Sequence, residues 1–166
     1  IYVALYTLWL KRRTSLNIVF GGLSGSSAAL AGWFAVTSQP SIITVMIALL
    51  LFLWTPSHFW SFALVHHESY RQASIPMLPV LAGAKKTSVL ILLSTCLLVL
   101  VSLLLYFLGS FREVYLVGSV ILGAIFLGLS VRLWKQPEKE RAWTNFKFSG
   151  IYLLGLFLFM ALDVLI

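Results

Sequence analysis

Charged residues are scarce in this sequence, and acidic residues are the scarcest. There are five Asp and Glu residues against 12 Lys and Arg in 166 positions, and charged residues make up 10% of the chain. A soluble domain usually carries about 25% charged residues, whereas here 60% of the residues are hydrophobic and the mean hydropathy is +0.98. This composition excludes a soluble domain and predicts a membrane protein, with room for about six spans of ~20 residues each.

The chain also has only one cysteine and no recognisable secretory signal. Cys96 lies within an apolar run and cannot form a disulfide within the chain. Residues 1–10 are apolar and lead directly into Lys11, Arg12 and Arg13 without a small-residue cleavage site. Because the first residue is Ile and already lies in an apolar run, we expect an N-terminally truncated chain that forms a single domain over residues 1–166.

Five apolar segments are long enough to cross a bilayer. They cover residues 18–37, 42–65, 87–108, 114–134 and 148–166, and residues 1–10 are the end of a further span. Residues 68–86 and 135–147, which lie between these spans, are expected to form loops. The first segment is rich in Gly and Ser, which let helix backbones approach closely, so we expect it inside the bundle. Pro56 lies within the second segment and should kink that helix just before His58. The predicted fold class is therefore all-α and integral to the membrane.

Basic residues cluster on one side of these spans. Eleven of the 12 Lys and Arg residues lie on that side, and only Arg112 lies on the other. The larger set is Lys11, Arg12, Arg13, Arg71, Lys85, Lys86, Arg132, Lys135, Lys139, Arg141 and Lys147. By the positive-inside rule this side faces the cytoplasm, which places the C-terminus outside the plasma membrane. Cations confined to short loops are topology signals, so we expect no nucleic-acid partner.

Residues 54–79, WTPSHFWSFALVHHESYRQASIPMLP, concentrate the polar side chains that could form a site. Polar groups at the mouth of a membrane helix are costly to hold, and so they indicate a function. The candidates are His58, His66, His67, Glu68, Tyr70 and Arg71. His58 lies one turn after Trp54 and is either a helix–helix hydrogen-bonding residue or a functional one. The sequence leaves both interpretations open.

Glu68 is the candidate metal ligand, because it is the only acid in the first two thirds of the chain. A single carboxylate with phosphate oxygens and water is an ordinary arrangement for Mg²⁺, which keeps much of its water shell. His66 and His67 are poor joint ligands, since adjacent side chains on a helix point about 100° apart. The sequence therefore favours a carboxylate-held cation over a histidine-held one.

The basic turn Lys11, Arg12 and Arg13 has two interpretations. Three cations after an apolar helix commonly act as a stop-transfer anchor. Arg and Lys at a water–lipid boundary also suit a diphosphate, and Asn17 could donate a further hydrogen bond beside them. Tyr70 is either an interface anchor or part of a loop that covers a site.

Four motifs carry a resemblance to a known family. They are YTLWLKRRTSLNIVFGG, LFLWTPSHFWSFAL, SYRQASIPMLPV and AWTNFKFSGIYLLGLF. The chain resembles the protohaem IX farnesyltransferases, or haem O synthases, a branch of the UbiA-type intramembrane prenyltransferases. The resemblance implies a nine-helix bundle of which this chain is the C-terminal part, with five full spans and the tail of another. The family's first aspartate-rich motif would then lie upstream, and the fragment alone would be inactive.

The resemblance also implies a reaction and roles for residues. A farnesyl group would pass from farnesyl diphosphate to a vinyl group of haem B, with water added, to give haem O. Lys11, Arg12, Arg13, Asn17, Tyr70 and Arg71 would bind the substrate, Glu68 would hold Mg²⁺, and Glu68 and His58 would be the catalytic residues, with His58 contacting or orienting the haem. The family usually has an acid immediately before the equivalent of Tyr70, where this chain has Ser69 and carries Glu68 one place earlier.

The expected partners are farnesyl diphosphate, haem B, the lipid bilayer, and a haem A synthase or oxidase-assembly protein. Two other functions stay open. One is prenyl transfer to a quinone or chlorin, and the other is a non-catalytic membrane transporter or scaffold, whose intramembrane polar residues would mark a transport path. An acid-rich loop between two apolar spans upstream in the gene would favour the enzyme.

Overall fold

The computed structural model describes residues 17–108 and 111–165, and within these ranges all long elements are helices. The six helices are α1 (Asn17–Val36), α2 (Ile42–Val65), α3 (His67–Gln72), α4 (Leu78–Phe107), α5 (Glu113–Lys135) and α6 (Lys139–Leu165). All except α3 are long and apolar enough to cross a membrane. The predicted all-α membrane class is confirmed, and α2 has the predicted bounds.

The predicted loop over residues 68–86 is wrong, because it contains α3 and the first turns of α4. α4 begins at Leu78 after an extended Met77, and Pro79 lies in its first turn, where a missing N–H costs nothing. Regular geometry breaks once, at Gly83, whose φ of 78° favours glycine. The prolines of this segment suggested a loop, but a proline is also favoured in the first turn of a helix, where Pro79 lies.

The predicted loop over residues 135–147 is also wrong, since α6 already begins at Lys139. The residues from Lys139 to Lys147 are charged but include good helix formers, so they extend the helix beyond its apolar part. Ala142 and Asn145 are buried on one side of this extension. Only residues 136–138 separate α5 from α6.

The helices form an antiparallel bundle centred on α2. α2 packs against α1, α4 and α6, and α5 packs against α4 and α6. We call the end at which α2 and α5 finish and α4 and α6 begin the basic end. Of the basic residues in the described ranges, only Arg112 lies at the opposite end, as the charge pattern predicted. Lys11, Arg12 and Arg13 lie outside the described residues.

α1 was expected inside the bundle, and the described residues show it at the edge, packed on α2. Only one narrow face is buried against α2, where Ser26 donates a hydrogen bond to the carbonyl of Ala48 at 2.9 Å. Gly25 and Gly32 have nothing from the described residues within 4 Å of where a Cβ would lie. Within the described residues, α2 is therefore the long helix against which α1 packs.

A ring of buried polar side chains joins the four central helices. Ser57 and Thr95 lie 2.7 Å apart, Thr95 and Ser130 lie 3.2 Å apart, and Ser130 donates to Asn145 at 3.1 Å. Asn145 in turn donates to Ser61 at 2.9 Å, and Ser61 donates to the carbonyl of Ser57 at 2.7 Å. All five side chains are fully buried. We call this set the polar ring, and it links α6 directly to α2 through Asn145 and Ser61.

Asp163 performs a similar role at the end opposite the basic end. This buried carboxylate accepts the N–H of Tyr115 at 3.0 Å and that of Arg112. The first N–H groups of a helix have no partner within it, and a negative charge there is stabilised by the helix dipole. Asp163 therefore caps α5 from α6.

Close packing between α5 and α6 depends on Gly118, where an added Cβ would overlap the ring of Phe159. We expect Gly118→Ala to destabilise the protein by about 1–3 kcal/mol, the usual cost of overpacking. Gly128 lies on the same helix with nothing within 4 Å in the described structure, so Gly128→Ala is the matched control and should be neutral or slightly stabilising. Thermal unfolding in detergent measures both, and equal midpoints for the two variants would contradict the packing argument.

Candidate functional site

His58 lies two turns before the end of α2 within a group of aromatic rings. Its imidazole stacks on Trp54 with ring centres 4.3 Å apart, and it lies 4.5 Å from Phe146 of α6. Phe59 meets it edge-on at 5.2 Å. Within the described residues, His58 is only partly buried.

Ser149 determines which nitrogen of His58 carries the proton. The Oγ of Ser149 lies 2.7 Å from His58 Nδ1 and 2.6 Å from the carbonyl of Phe146. A hydroxyl has one proton, and the carbonyl can only accept it, so Nδ1 must donate to Oγ. In the neutral imidazole this leaves a lone pair on Nε2, which has no hydrogen-bond partner among the described residues. Trp54 Nε1 also donates to the carbonyl of Ser149, at 2.8 Å, and so links the same segments.

The rings around His58 belong to a longer surface, which we call the aromatic wall. It consists of Trp54, His58 and Phe62 on α2 with its C-terminal capping residue His66, and of Trp143 and Phe146 on α6. The α2 members follow one another at intervals of four residues and therefore share a face. Phe62 lies 5.2 Å from Phe146 and 4.4 Å from His66, and Trp143 stacks on Phe146 at 5.2 Å. The wall thus runs continuously from the middle of α2 to the basic end.

A cavity borders the wall at each of its ends. Near Trp54 and Phe59, the small residues Gly21, Ser24 and Gly25 of α1 leave about 190 Å³. At the basic end a largely apolar pocket of about 420 Å³ is lined by Val65, His66, Lys139, Glu140 and Trp143. The wall therefore has one cavity at its charged outer end and another beside α1 at its inner end.

The predicted site residues on α3 and at the start of α1 point in different directions. Glu68 accepts from Arg71 at 3.1 Å and from Gln72 at 3.4 Å, and all three side chains are exposed. Tyr70 is turned towards the apolar cluster under the basic end, and this burial raises the pKa of its hydroxyl above 10.0. Asn17 is fully buried, and its amide group donates to Met77 Sδ at 3.5 Å, which is a structural contact with the loop before α4.

These positions bring some of the predicted residues together and separate others. Asn17 and Tyr70 border the same apolar cluster, and Glu68 and Arg71 form an ion pair outside it. His58 is not in contact with any of them and belongs to the aromatic wall. The residues that sequence reasoning missed are Ser149, Phe146 and Trp143, and the last two lay in the segment taken for a loop.

The described ranges contain no group of three or more His, Cys, Asp and Glu side chains that could hold a metal ion. Glu68 supplies a single carboxylate, which already accepts from Arg71. The described residues therefore do not form a complete divalent-cation site. A cation held here would take its other ligands from a substrate phosphate and from water.

Comparison with known proteins gives a consistent result. The chain matches the UbiA prenyltransferase family model over residues 1–161. It is 47% identical over 163 residues to the protohaem IX farnesyltransferase of Desulforudis audaxviator, with 98% of this chain and 51% of that protein covered. The protohaem IX farnesyltransferase of Metallosphaera sedula is 44% identical over 166 residues, which cover 100% of this chain and 58% of that protein.

A solved structure from work on digeranylgeranylglyceryl phosphate synthase in membranes has the same fold. Its TM-score is 0.88 at 23% identity, over 98% of this chain and 57% of that chain. The chain spans about half the length of the curated relatives it matches. With the family model matched over nearly its whole length, the chain belongs to the UbiA prenyltransferase family.

Proposed function

We propose that this chain is part of an enzyme that transfers a farnesyl group from farnesyl diphosphate to a vinyl group of protohaem IX, giving haem O. The observation that carries the proposal is 41–47% identity to several protohaem IX farnesyltransferases over nearly the whole chain. The aromatic wall supports it, because this chemistry needs an apolar, aromatic surface within the membrane.

The reaction separates charge, and the chain has groups for both signs. Breaking the allylic C–O bond leaves negative charge on the diphosphate, which the cations Lys11, Arg12, Arg13 and Arg71 suit. The allylic carbon becomes positive, and aromatic faces such as those of Trp54 and Phe146 attract a cation. An apolar surface also keeps water from capturing the cation before the acceptor reaches it.

His58 suits the second half of the reaction. Once the C1–O bond has broken, the terminal carbon of the vinyl group forms the new C–C bond with the farnesyl C1, and the positive charge passes to the other vinyl carbon. Water then adds to the other vinyl carbon and loses a proton. We assign acceptance of that proton to Nε2 of His58, because the hydrogen bond from Nδ1 to Ser149 leaves the lone pair there.

Members of the UbiA family generally use Mg²⁺, which would neutralise the diphosphate. Glu68 is the candidate ligand that this chain offers, with Asn17 and Tyr70 at the adjacent apolar cluster. Arg71 lies 3.1 Å from the Glu68 carboxylate and is the cation that would turn to the diphosphate when a metal takes its place.

We expect Glu68→Gln to raise the Mg²⁺ concentration needed for half-maximal transfer by about tenfold, the effect of one charge-assisted contact. Glu138→Gln is the matched control, because Glu138 pairs with Arg141 at 3.2 Å with the same sequence spacing. A Mg²⁺ titration of initial rates measures both variants. Identical titration curves for wild type and Glu68→Gln would show that Glu68 is only a surface carboxylate.

We also propose that the basic end faces the cytoplasm, because positively charged loops are retained there. In a Cys96→Ser background, a membrane-impermeant maleimide should label Arg112→Cys in intact cells and Arg71→Cys only after permeabilisation. These two positions lie at opposite ends of the bundle. Labelling of Arg71→Cys in intact cells would show that the basic end faces outwards and that the proposed orientation is wrong.

The function is tested with the product of the complete gene in membranes supplied with Mg²⁺, farnesyl diphosphate and protohaem. Mass spectrometry should detect protohaem that has gained one farnesyl group and one water. Membranes without the gene are the control. Transfer only to a quinone or chlorin would show that the proposed acceptor is wrong. The absence of any prenylated product would favour a transporter or scaffold over an enzyme.

A further inference from the structure

We propose that the aromatic wall is the binding surface for the acceptor macrocycle, with the carboxylate edge of a tetrapyrrole held by Lys139 and Lys147 at the basic end. This rests on the proposed function and gives its acceptor a place and an orientation. The argument combines the shape of the wall, the charges at its outer end, and the position of His58 at its inner end.

The shape of the wall suits a flat apolar ligand. From His58 to His66 it extends eight residues along α2, which is about 12 Å at a rise of ~1.5 Å per residue. This length is enough to reach across a porphyrin from one edge to the other. Phe62 and Phe146 lie between the two ends, and Trp143 at the outer end is 41% exposed. Aromatic side chains favour offset stacking against another flat π-system, and so the wall offers a tetrapyrrole several ring contacts at once.

The positive charges at the outer end of the wall favour a ligand that carries carboxylates on the edge placed there. Lys139 lines the 420 Å³ pocket beside Trp143, and Lys147 Nζ lies 6.0 Å from the centre of the Trp143 ring. Glu140 lines the same pocket as Lys139, and Lys147 reaches the Trp143 ring from the next turn of α6, so two ammonium groups and one carboxylate lie around Trp143. Two ligand carboxylates would reverse that imbalance and make charge-assisted contacts with the lysines.

The inner end then receives the opposite edge of the ligand. In protohaem IX the two carboxylate side chains and the two vinyl groups lie on opposite edges of the ring. If the carboxylates lie at Lys139 and Lys147, the vinyl edge points along the wall towards His58. That is where Nε2 has its lone pair. The cavity of about 190 Å³ beside Trp54 is also lined by Ile18 and Gly21 at the start of α1, the helix that follows the proposed diphosphate cations Lys11, Arg12 and Arg13 in the sequence, and so it offers room for the reacting end of an isoprenoid.

Binding titrations with the purified product of the complete gene test this orientation. Quenching of tryptophan fluorescence is followed with protohaem and with its dimethyl ester, which keeps the ring but lacks the carboxylates. We expect the double variant Lys139→Gln, Lys147→Gln to lose about three- to tenfold in affinity for protohaem, as for partly exposed ion pairs. Its affinity for the ester should stay unchanged.

The double variant Lys86→Gln, Lys135→Gln is the matched control. It removes the same charge from the same end of the bundle, from side chains that do not border the wall. It should bind protohaem and ester like the wild type. Size-exclusion profiles of all variants establish that each is folded before its affinity is compared.

Several outcomes would overturn the orientation. These are an equal loss for protohaem and ester, an equal loss in the control, or no loss in Lys139→Gln, Lys147→Gln. Quenching by a brominated phospholipid with no saturable response to protohaem would assign the wall to lipid instead. If binding follows the expected pattern but no haem O forms, the proposed function fails and the acceptor site stands. If haem O forms with an unchanged KM for protohaem in the double variant, the function stands and this site fails.

Discussion

His58→Ala should lower the rate of prenyl transfer by about 10²- to 10³-fold, within the usual range for removal of a general base. The loss is expected mainly in kcat, because the side chain acts on a proton after the substrates have bound, with a smaller rise in the KM for protohaem because the wall loses one of its rings. His67→Ala is the matched control: His67 is exposed on α3 and is not part of the aromatic wall. Its rate should be that of the wild type.

Ser149→Ala gives the same prediction a second measurement. The variant keeps the imidazole but removes the acceptor for Nδ1–H, at 2.7 Å in the structure. Both tautomers then become accessible, and the nitrogen NMR shifts of labelled His58 should change from a single tautomer to a mixture. We expect a smaller loss in kcat, about tenfold, as the fraction with a lone pair on Nε2 falls. Full activity in His58→Ala would refute the assignment, whatever the tautomer in Ser149→Ala.

The sequence predicted α2 correctly because its limits are set by local chemistry. Residues 42–65 are apolar throughout, Ser41 caps the first turn by accepting from the Ile43 N–H, and polar His66 and His67 follow. The start of α6 was missed because hydropathy identifies the apolar part of a helix that lies in the bilayer and not the full length of the helix. Lys139 and its neighbours remain helical outside the apolar part because their charged side chains can face water.

The candidate site was only partly predictable for a different reason. His58 could be selected from one segment, because a polar group within a membrane helix is costly. Its partner Ser149 lies 91 positions away, and no local pattern identifies which of many serines will meet a given histidine. Asn17 was a plausible donor to a ligand by sequence, but only tertiary structure shows its amide directed at Met77.

The polar ring holds the helices that carry both halves of the site, and we expect Asn145→Leu to damage it severely. Asn145 bonds Ser130 on α5 and Ser61 on α2, and both contacts are fully buried. Interhelical hydrogen bonds in membranes contribute ~0.6 kcal/mol on average and up to ~1.7. Losing two of them and forcing a branched side chain into the space should cost about 2–4 kcal/mol in all.

The measurement is thermal unfolding in detergent, followed by the loss of monodisperse protein, together with the His58 tautomer. Asn145 lies one turn before Ser149 on α6, so a shift in the register of α6 should also disturb the bond from Ser149 to His58. Thr144→Leu is the matched control, since it introduces the same side chain one position away, where Thr144 is exposed and bonds only the carbonyl of Glu140 on its own helix. We expect Asn145→Leu to lower the unfolding midpoint clearly and Thr144→Leu to leave it nearly unchanged. If the two variants unfold together, the ring only satisfies its own hydrogen bonds, and the register of α6 against α2 is set by the surrounding apolar contacts.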